Sequence, residues 1–212
     1  MKRCSALLIA VLLAGAVSLP GCEEGKTAGK AKPPAEKEGG STTAALGEKA
    51  PEFTLEDQDG KKVSLSDYAG KIVVLEWVNP QCPFVRYHYK QGTMQKLADK
   101  YKDVVWLAID SSHTMTKKGA QDWIAEHKLT YPTLDDHAGT VGKLYGAKTT
   151  PHMFIIDKAG VLVYMGGIDD SPMGEKKEKA IPYVDNALAE VTAGKAVAMP
   201  DTKPYGCSVK YK

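Results

Sequence analysis

The sequence predicts an α/β domain: a mixed central sheet with helices on both faces and a strand hairpin in front. Three observations predict it. Two continuous apolar runs, Ile72 to Val78 and Val104 to Ile109, read as strands buried on both faces, as parallel neighbours are. Each run is followed by apolar residues at helical spacing. A strand hairpin and a final helix then close the order, which is the pattern of a layered α/β unit.

The elements follow in order from about Leu46. Ala50-Pro51-Glu52-Phe53-Thr54-Leu55 and Lys62-Val63-Ser64-Leu65 are short strands, and Asp59-Gly60 between them is a hairpin turn signal. Asp67 to Lys71 is a turn before the buried strand Ile72–Val78. Cys82 comes next, and Pro83 behind it suits the first position of a helix, where a missing N–H costs nothing. Met94, Leu97, Ala98 and Tyr101 extend a helical face, with Gly92 placed to kink or interrupt it. After the second buried run, Ala120, Trp123, Ile124 and His127 mark another helix, and Thr140 to Tyr145 a short one. Met153–Ile156 and Val161–Met165 are strands joined through Asp157-Lys158-Ala159-Gly160. Ile181, Val184, Leu188 and Val191 give the last helix, stopped near Gly194. Residues 196–212 form a tail that carries Cys207, and the sequence has no internal repeat.

The front of the chain has a different character. Met1-Lys2-Arg3 and the apolar Ala6 to Val17 read as a secretory signal over residues 1–21, too short to span a bilayer. Leu19-Pro20-Gly21-Cys22 resembles a bacterial lipobox, which makes Cys22 a lipidation site; an ordinary cleaved signal is the other reading. Residues 22–45 lack the apolar content to fold and read as a flexible tether. The expected localisation is therefore the cell envelope, anchored to a membrane through lipid on Cys22. With 28 basic and 26 acidic residues in 212, the near-neutral charge points away from nucleic acid.

Of the four cysteines, Cys4 leaves with the signal and Cys22 carries the lipid. Cys82 and Cys207 remain as thiols in an oxidising compartment, where two cysteines either pair or do redox work. Cys82 falls at a helix N-terminus, whose unpaired N–H groups and dipole favour an anion and so a thiolate.

The order strand–Cys–helix–strand–helix–Thr150-Pro151–strand–hairpin–helix resembles the thioredoxin fold. The openings Ala50 to Leu55 and Val63 to Lys71 are similar to those of AhpC/TSA redoxins and of membrane-tethered thiol–disulfide oxidoreductases. The resemblance covers about Leu46 to Gly194. It implies that Cys82 is the attacking cysteine and that Thr150 and Pro151, a cis-proline loop, contact the substrate. It implies no organic cofactor, a protein disulfide or hydroperoxide as substrate, and an upstream thiol as electron donor. The second cysteine of the family's Cys-x-x-Cys is replaced by Val85, so another thiol must resolve, and Cys207 is the candidate within the mature domain. A free tail thiol, an intermolecular bridge and a static disulfide are the alternatives.

Glu76, six residues before Cys82, stands where thioredoxin-like proteins often bury an acid. A buried carboxyl has a raised pKa and can exchange a proton with a thiol near neutral pH; a strand-end residue facing water is the other reading. Pro83 and Arg86 are candidates for stabilising the thiolate, with Arg86 alternatively a plain surface arginine. Peroxiredoxins place a proline and a threonine ahead of their cysteine where this chain has Leu75 and Asn79, so the peroxide-activating hydroxyl is missing. The five histidines, His88 and His152 among them, show no metal-ligand spacing and read as packing or surface residues, so no metal site is expected. Trp77 reads as core.

Four functions compete at this stage. A thiol–disulfide oxidoreductase leads. An atypical two-cysteine peroxidase is next, with Cys207 condensing on a Cys82 sulfenic acid. A copper-binding chaperone could draw on Cys82, Cys207, His152 or Met153, since soft thiolates suit Cu(I), although the paired turn cysteines of such chaperones are absent. A redox-inactive binding module would keep the fold without the chemistry.

Overall fold

The structure is a computed structural model that describes residues 43–212. The signal segment, the Cys22 lipidation site and most of the tether lie outside the described residues. Within them, no helix is long and apolar enough to cross a membrane.

A seven-stranded mixed sheet organises the domain. Its strands are β1 (Thr54–Asp57), β2 (Lys62–Ser64), β3 (Val73–Trp77), β4 (Val105–Asp110), β5 (Thr133–Asp135), β7 (His152–Ile156) and β8 (Leu162–Gly166), with spatial order β2-β1-β5-β4-β3-β7-β8. β3, β4 and β5 are parallel, and every other pairing is antiparallel. The remaining strands, β6 (Thr149–Thr150) and β9 (Cys207–Ser208), form a small antiparallel ladder of their own.

Alternation along β3 divides the core in two. Val74 and Val78 face a cluster built with Val85 and Tyr89 of α1 (Pro83–Lys90), Leu97 of α2 (Thr93–Lys100), Trp123 of α3 (Lys117–His127) and Leu188 of α5 (Tyr183–Thr192). Val73, Leu75 and Trp77 face the other side. There they pack with Val141 and Tyr145 of α4 (Thr140–Tyr145), with Phe53 and Val63, and with Val209 of the tail. Trp77 is core, as its sequence context implied: it is fully buried, with ring centroids 5.0 Å from Phe154 and 5.4 Å from Tyr145.

Local chemistry accounts for the boundaries. Asp57 Oδ1 accepts the Asp59 and Lys61 N–H groups at 2.9 Å, and Gly60 takes a φ of +82°, which together close the first hairpin. Gly92, at φ +70°, separates α1 from α2. Thr116 caps α3, its Oγ1 accepting the Gly119 N–H at 3.1 Å.

The structure corrects several boundaries. The first strand starts at Thr54 rather than Ala50, because Pro51 has no N–H for a ladder; Ala50 N–H goes to the Gly160 carbonyl at 2.9 Å. Leu65 opens a short 3-10 turn over Leu65–Tyr68 instead of ending β2. Ile181 is 41% exposed and precedes the last helix, which begins at Tyr183; Pro182 keeps the residue before it out of the helical region.

Candidate active site

Cys82 caps α1 from an extended backbone (φ −76°, ψ 124°) with Pro83 in the first turn. The turn before it is fixed by Asn79, whose Oδ1 accepts the Gln81 N–H at 2.8 Å and whose carbonyl accepts the Cys82 N–H at 2.9 Å. The residue that stands in the place of the peroxiredoxin threonine is therefore a turn former with its side chain committed. Leu75 is buried on the opposite face of β3.

The Cys82 thiol donates to the Thr150 carbonyl at 2.9 Å. The Thr150–Pro151 peptide is cis. Thr150 is also the residue that faces Cys207 in the β6–β9 ladder. That pairing lays the tail across the thiol, and Cys82 is only 2% exposed. Burial pushes the Cys82 thiol up. The Cys207 thiol, the backbone N–H groups of Val85 and Cys207, and the Thr150 side chain outweigh it and hold the group below its ordinary value. Cys207 moves the other way, to about 11, through burial and its hydrogen bond to Cys82. Of the pair, Cys82 is the more acidic thiol, and Cys207 keeps its proton and donates it in a hydrogen bond to Cys82. Both cysteines are thiols in this structure.

The tail is held at several points. Pro200 and Thr202 bond to the Met165 backbone at 2.9 and 3.1 Å, covering part of the free edge of β8. Tyr205 Oη donates to Asp169 Oδ1 at 2.7 Å and lies 2.9 Å from His88 Nε2. Val209 N–H reaches the Lys148 carbonyl at 3.2 Å, and Tyr211 Oη the Ala147 carbonyl at 2.8 Å. Gly206 has φ +122°, and a Cβ there would stand 2.1 Å from the Thr150 carbonyl oxygen.

Glu76 is fully buried on the helix-covered face that also holds Val74 and Val78. Trp106 Nε1–H donates to its Oε2 at 2.9 Å, while Oε1 has no hydrogen-bond partner among the described residues. Burial raises its pKa to about 7, against the lowering effect of Trp106 and Tyr89. Among the described residues, the Glu76 carboxyl has no hydrogen bond to Cys82, although the acid and the thiol share a face of the sheet. Arg86 is exposed on α1, and its guanidinium is not among the groups that shift the Cys82 thiol; the backbone N–H groups do that work instead.

His152 is buried beside Phe154, its Nδ1 accepts the Lys148 N–H at 3.2 Å, and burial pushes its pKa down to about 4. Among the described residues, no group of three His, Cys, Asp or Glu side chains is arranged to hold a metal ion.

The comparisons with known proteins fit this geometry. Residues 46–165 match the family model described as AhpC/TSA family. The chain belongs to the AhpC/TSA family. Among its relatives, the thiol-disulfide oxidoreductase ResA of Bacillus thuringiensis is 31% identical over 120 residues, covering 56% of this chain and 67% of that one. The thioredoxin-like protein YneN of Bacillus subtilis is 29% identical over 134 residues, 61% of this chain and 77% of that one. A hypothetical protein from Sinorhizobium meliloti superposes with a TM-score of 0.72 at 26% identity, covering 81% of this chain and 97% of that one. An uncharacterized conserved protein from Geobacillus kaustophilus gives 0.70 at 29%, covering 79% and 93%. This AhpC/TSA domain has the thioredoxin-like fold and is a thiol-dependent oxidoreductase.

Tyr205, Gly206, Asp169 and the Trp106–Tyr89 surroundings of Glu76 were not singled out by sequence, and His88 was read only as a packing or surface residue. The available signal was Tyr205-Gly206 directly ahead of Cys207, an aromatic and a conformationally free residue beside the tail thiol.

Proposed function

We propose that the protein is a thiol–disulfide oxidoreductase in which Cys82 attacks and Cys207 resolves. The observation that carries this reading is the β6–β9 pairing, which sets Cys207 opposite Thr150, the residue whose carbonyl binds the Cys82 thiol. The Cys82 thiolate attacks one sulfur of a substrate disulfide. The substrate S–S bond breaks, its far sulfur leaves as a thiolate that takes up a proton, and Cys82 holds the other in a mixed disulfide. Cys207 then loses its proton and attacks Cys82 Sγ, releasing the second substrate thiol and closing Cys82–Cys207. The substrate gains two electrons, and an upstream dithiol returns them to the protein.

Thr150 and Pro151 position the substrate strand, Pro83 starts the helix whose N–H groups face the sulfur, and Glu76 stores a proton near neutral pH. The secretory-type start and the lipobox-like Leu19-Pro20-Gly21-Cys22 support a chain exported and anchored through lipid on Cys22, with this cycle at the envelope face of a membrane. Mass analysis of the mature chain's first peptide tests the lipid.

The committed Asn79 side chain weighs against hydroperoxide as the preferred substrate, and the buried, hydrogen-bonded His152 weighs against a copper site. Rates with an oxidised protein disulfide and with hydrogen peroxide test the choice. The reading expects the disulfide to be reduced faster; a dominant peroxide rate would replace it with the peroxidase cycle.

A further inference from the structure

With the tail seated, Cys82 is 2% exposed, so a substrate reaches the thiol only where the tail now lies. The tail itself therefore describes what the groove accepts. It enters as an added strand, antiparallel to β6. Two residues before its cysteine, Tyr205 sits over Phe84, with ring centroids 6.2 Å apart. The Tyr205 hydroxyl is bracketed by Asp169 Oδ1 at 2.7 Å and His88 Nε2 at 2.9 Å. A phenol has one proton to give and lone pairs to accept: it donates to the carboxylate and accepts from the Nε2–H of neutral His88. Both partners belong to the body of the domain. His88 is 1% exposed, and among the described residues its Nδ1 has no hydrogen-bond partner. When the tail leaves, these two groups lose their phenol, and an incoming phenol would satisfy them again. One residue before the cysteine, only glycine fits, because a Cβ would meet the Thr150 carbonyl at 2.1 Å. Two residues after it, Val209 is 8% exposed in the second core cluster, so an apolar side chain belongs there. Ser208 is exposed and imposes nothing.

We infer that the groove between α1 and the Thr149–Pro151 loop is a peptide-strand site, and that its substrates are extended cysteinyl segments with a tyrosine two residues, and glycine one residue, before the cysteine. The tail is an internal copy of that segment. Its return expels the bound strand at the step in which Cys207 releases the substrate thiol. This inference rests on the proposed thiol–disulfide function.

The test uses the full chain with Gly206→Val and Cys207→Ser, which unseats the tail and removes the resolving thiol. The probes are short peptides bearing Tyr-Gly-Cys-Ser-Val, or the same with Ala for Tyr or Val for Gly, each with its cysteine in a mixed disulfide with thionitrobenzoate. Attack by Cys82 on the peptide sulfur forms the peptide–Cys82 disulfide and releases thionitrobenzoate, which is followed by its colour. The Tyr-Gly-Cys peptide is expected to react about tenfold faster than either altered peptide, a difference of about 1.4 kcal/mol. In the same background with His88→Ala, the Tyr and Ala peptides should converge. Equal rates for all three peptides would overturn the substrate inference alone. No peptide reacting at Cys82 would overturn the underlying function as well. Should the double variant fail to fold, Cys207→Ser alone serves, because a competing tail slows every peptide by one factor and leaves their ratio unchanged.

Discussion

Thr150 offers its carbonyl to the Cys82 thiol at 2.9 Å and stands opposite Cys207 in the β6–β9 ladder. One residue thus gathers the attacking thiol, the cis-proline loop and the tail thiol. It also explains why two cysteines far apart in sequence titrate against each other, Cys82 held down and Cys207 pushed to about 11.

Removing the tail thiol should change the chemistry of Cys82 as well as its fate. Cys207→Ala takes away a hydrogen bond that lowers the Cys82 pKa, so the pH at which alkylation by iodoacetamide reaches half its maximum moves up. Turnover stops after one mixed disulfide, visible as a stable substrate adduct by mass. An unmoved alkylation profile would mean that the two thiols do not interact.

Gly206→Val forces a Cβ into the Thr150 carbonyl and strains a φ of +122°, a cost of about 1–3 kcal/mol placed on tail docking. Cys82 then emerges from 2% exposure and alkylates faster, while the yield of internal disulfide falls. Alkylation kinetics at fixed pH check this.

Tyr205→Phe keeps the ring beside Phe84 but leaves buried His88 Nε2 without its phenol, while half-buried Asp169 keeps the Ser171 N–H on Oδ1 at 2.9 Å. Unmet buried polar groups cost about 1–3 kcal/mol, so the equilibrium constant for closing Cys82–Cys207 should drop roughly 5- to 150-fold. Titration against a glutathione redox buffer measures it.

Glu76 sets a pH dependence with a definite sign. Its folded pKa, about 7, lies above the ordinary glutamate value of 4.5. Between those pH values the unfolded chain sheds the proton and the folded one keeps it, so stability falls as pH rises through this window and levels off above it. Glu76→Gln removes the slope and leaves the protein more stable at pH 8 by roughly 3 kcal/mol, in addition to any inflection near 7 lost from the pH–rate profile. Urea midpoints across the window check the first part.

Much of this was legible in the chain because its physics is local. The runs Ile72–Val78 and Val104–Ile109 have the length and composition of buried strands, and a cysteine followed by Pro83 marks a helix start. Thr150-Pro151 ahead of Met153 to Ile156 gave the loop its place. What escaped depends on closure over long separations. β5, β6 and β9 are two or three residues each, too short for a period, and exist because a neighbour supplies their hydrogen bonds. Glu76 read as an acid in an apolar strand, but its Trp106 partner lies 30 residues on. His88 read as packing, and the structure places it against Tyr205, 117 residues away.

The central claim is most directly tested by non-reducing peptide mass mapping of the full chain, reduced and then after one equivalent of oxidant. The account predicts an intramolecular Cys82–Cys207 bridge that forms on oxidation and disappears with mild reductant. Cys82 stopping as a sulfenic acid or in a disulfide with another molecule, with Cys207 still a free thiol, would contradict it.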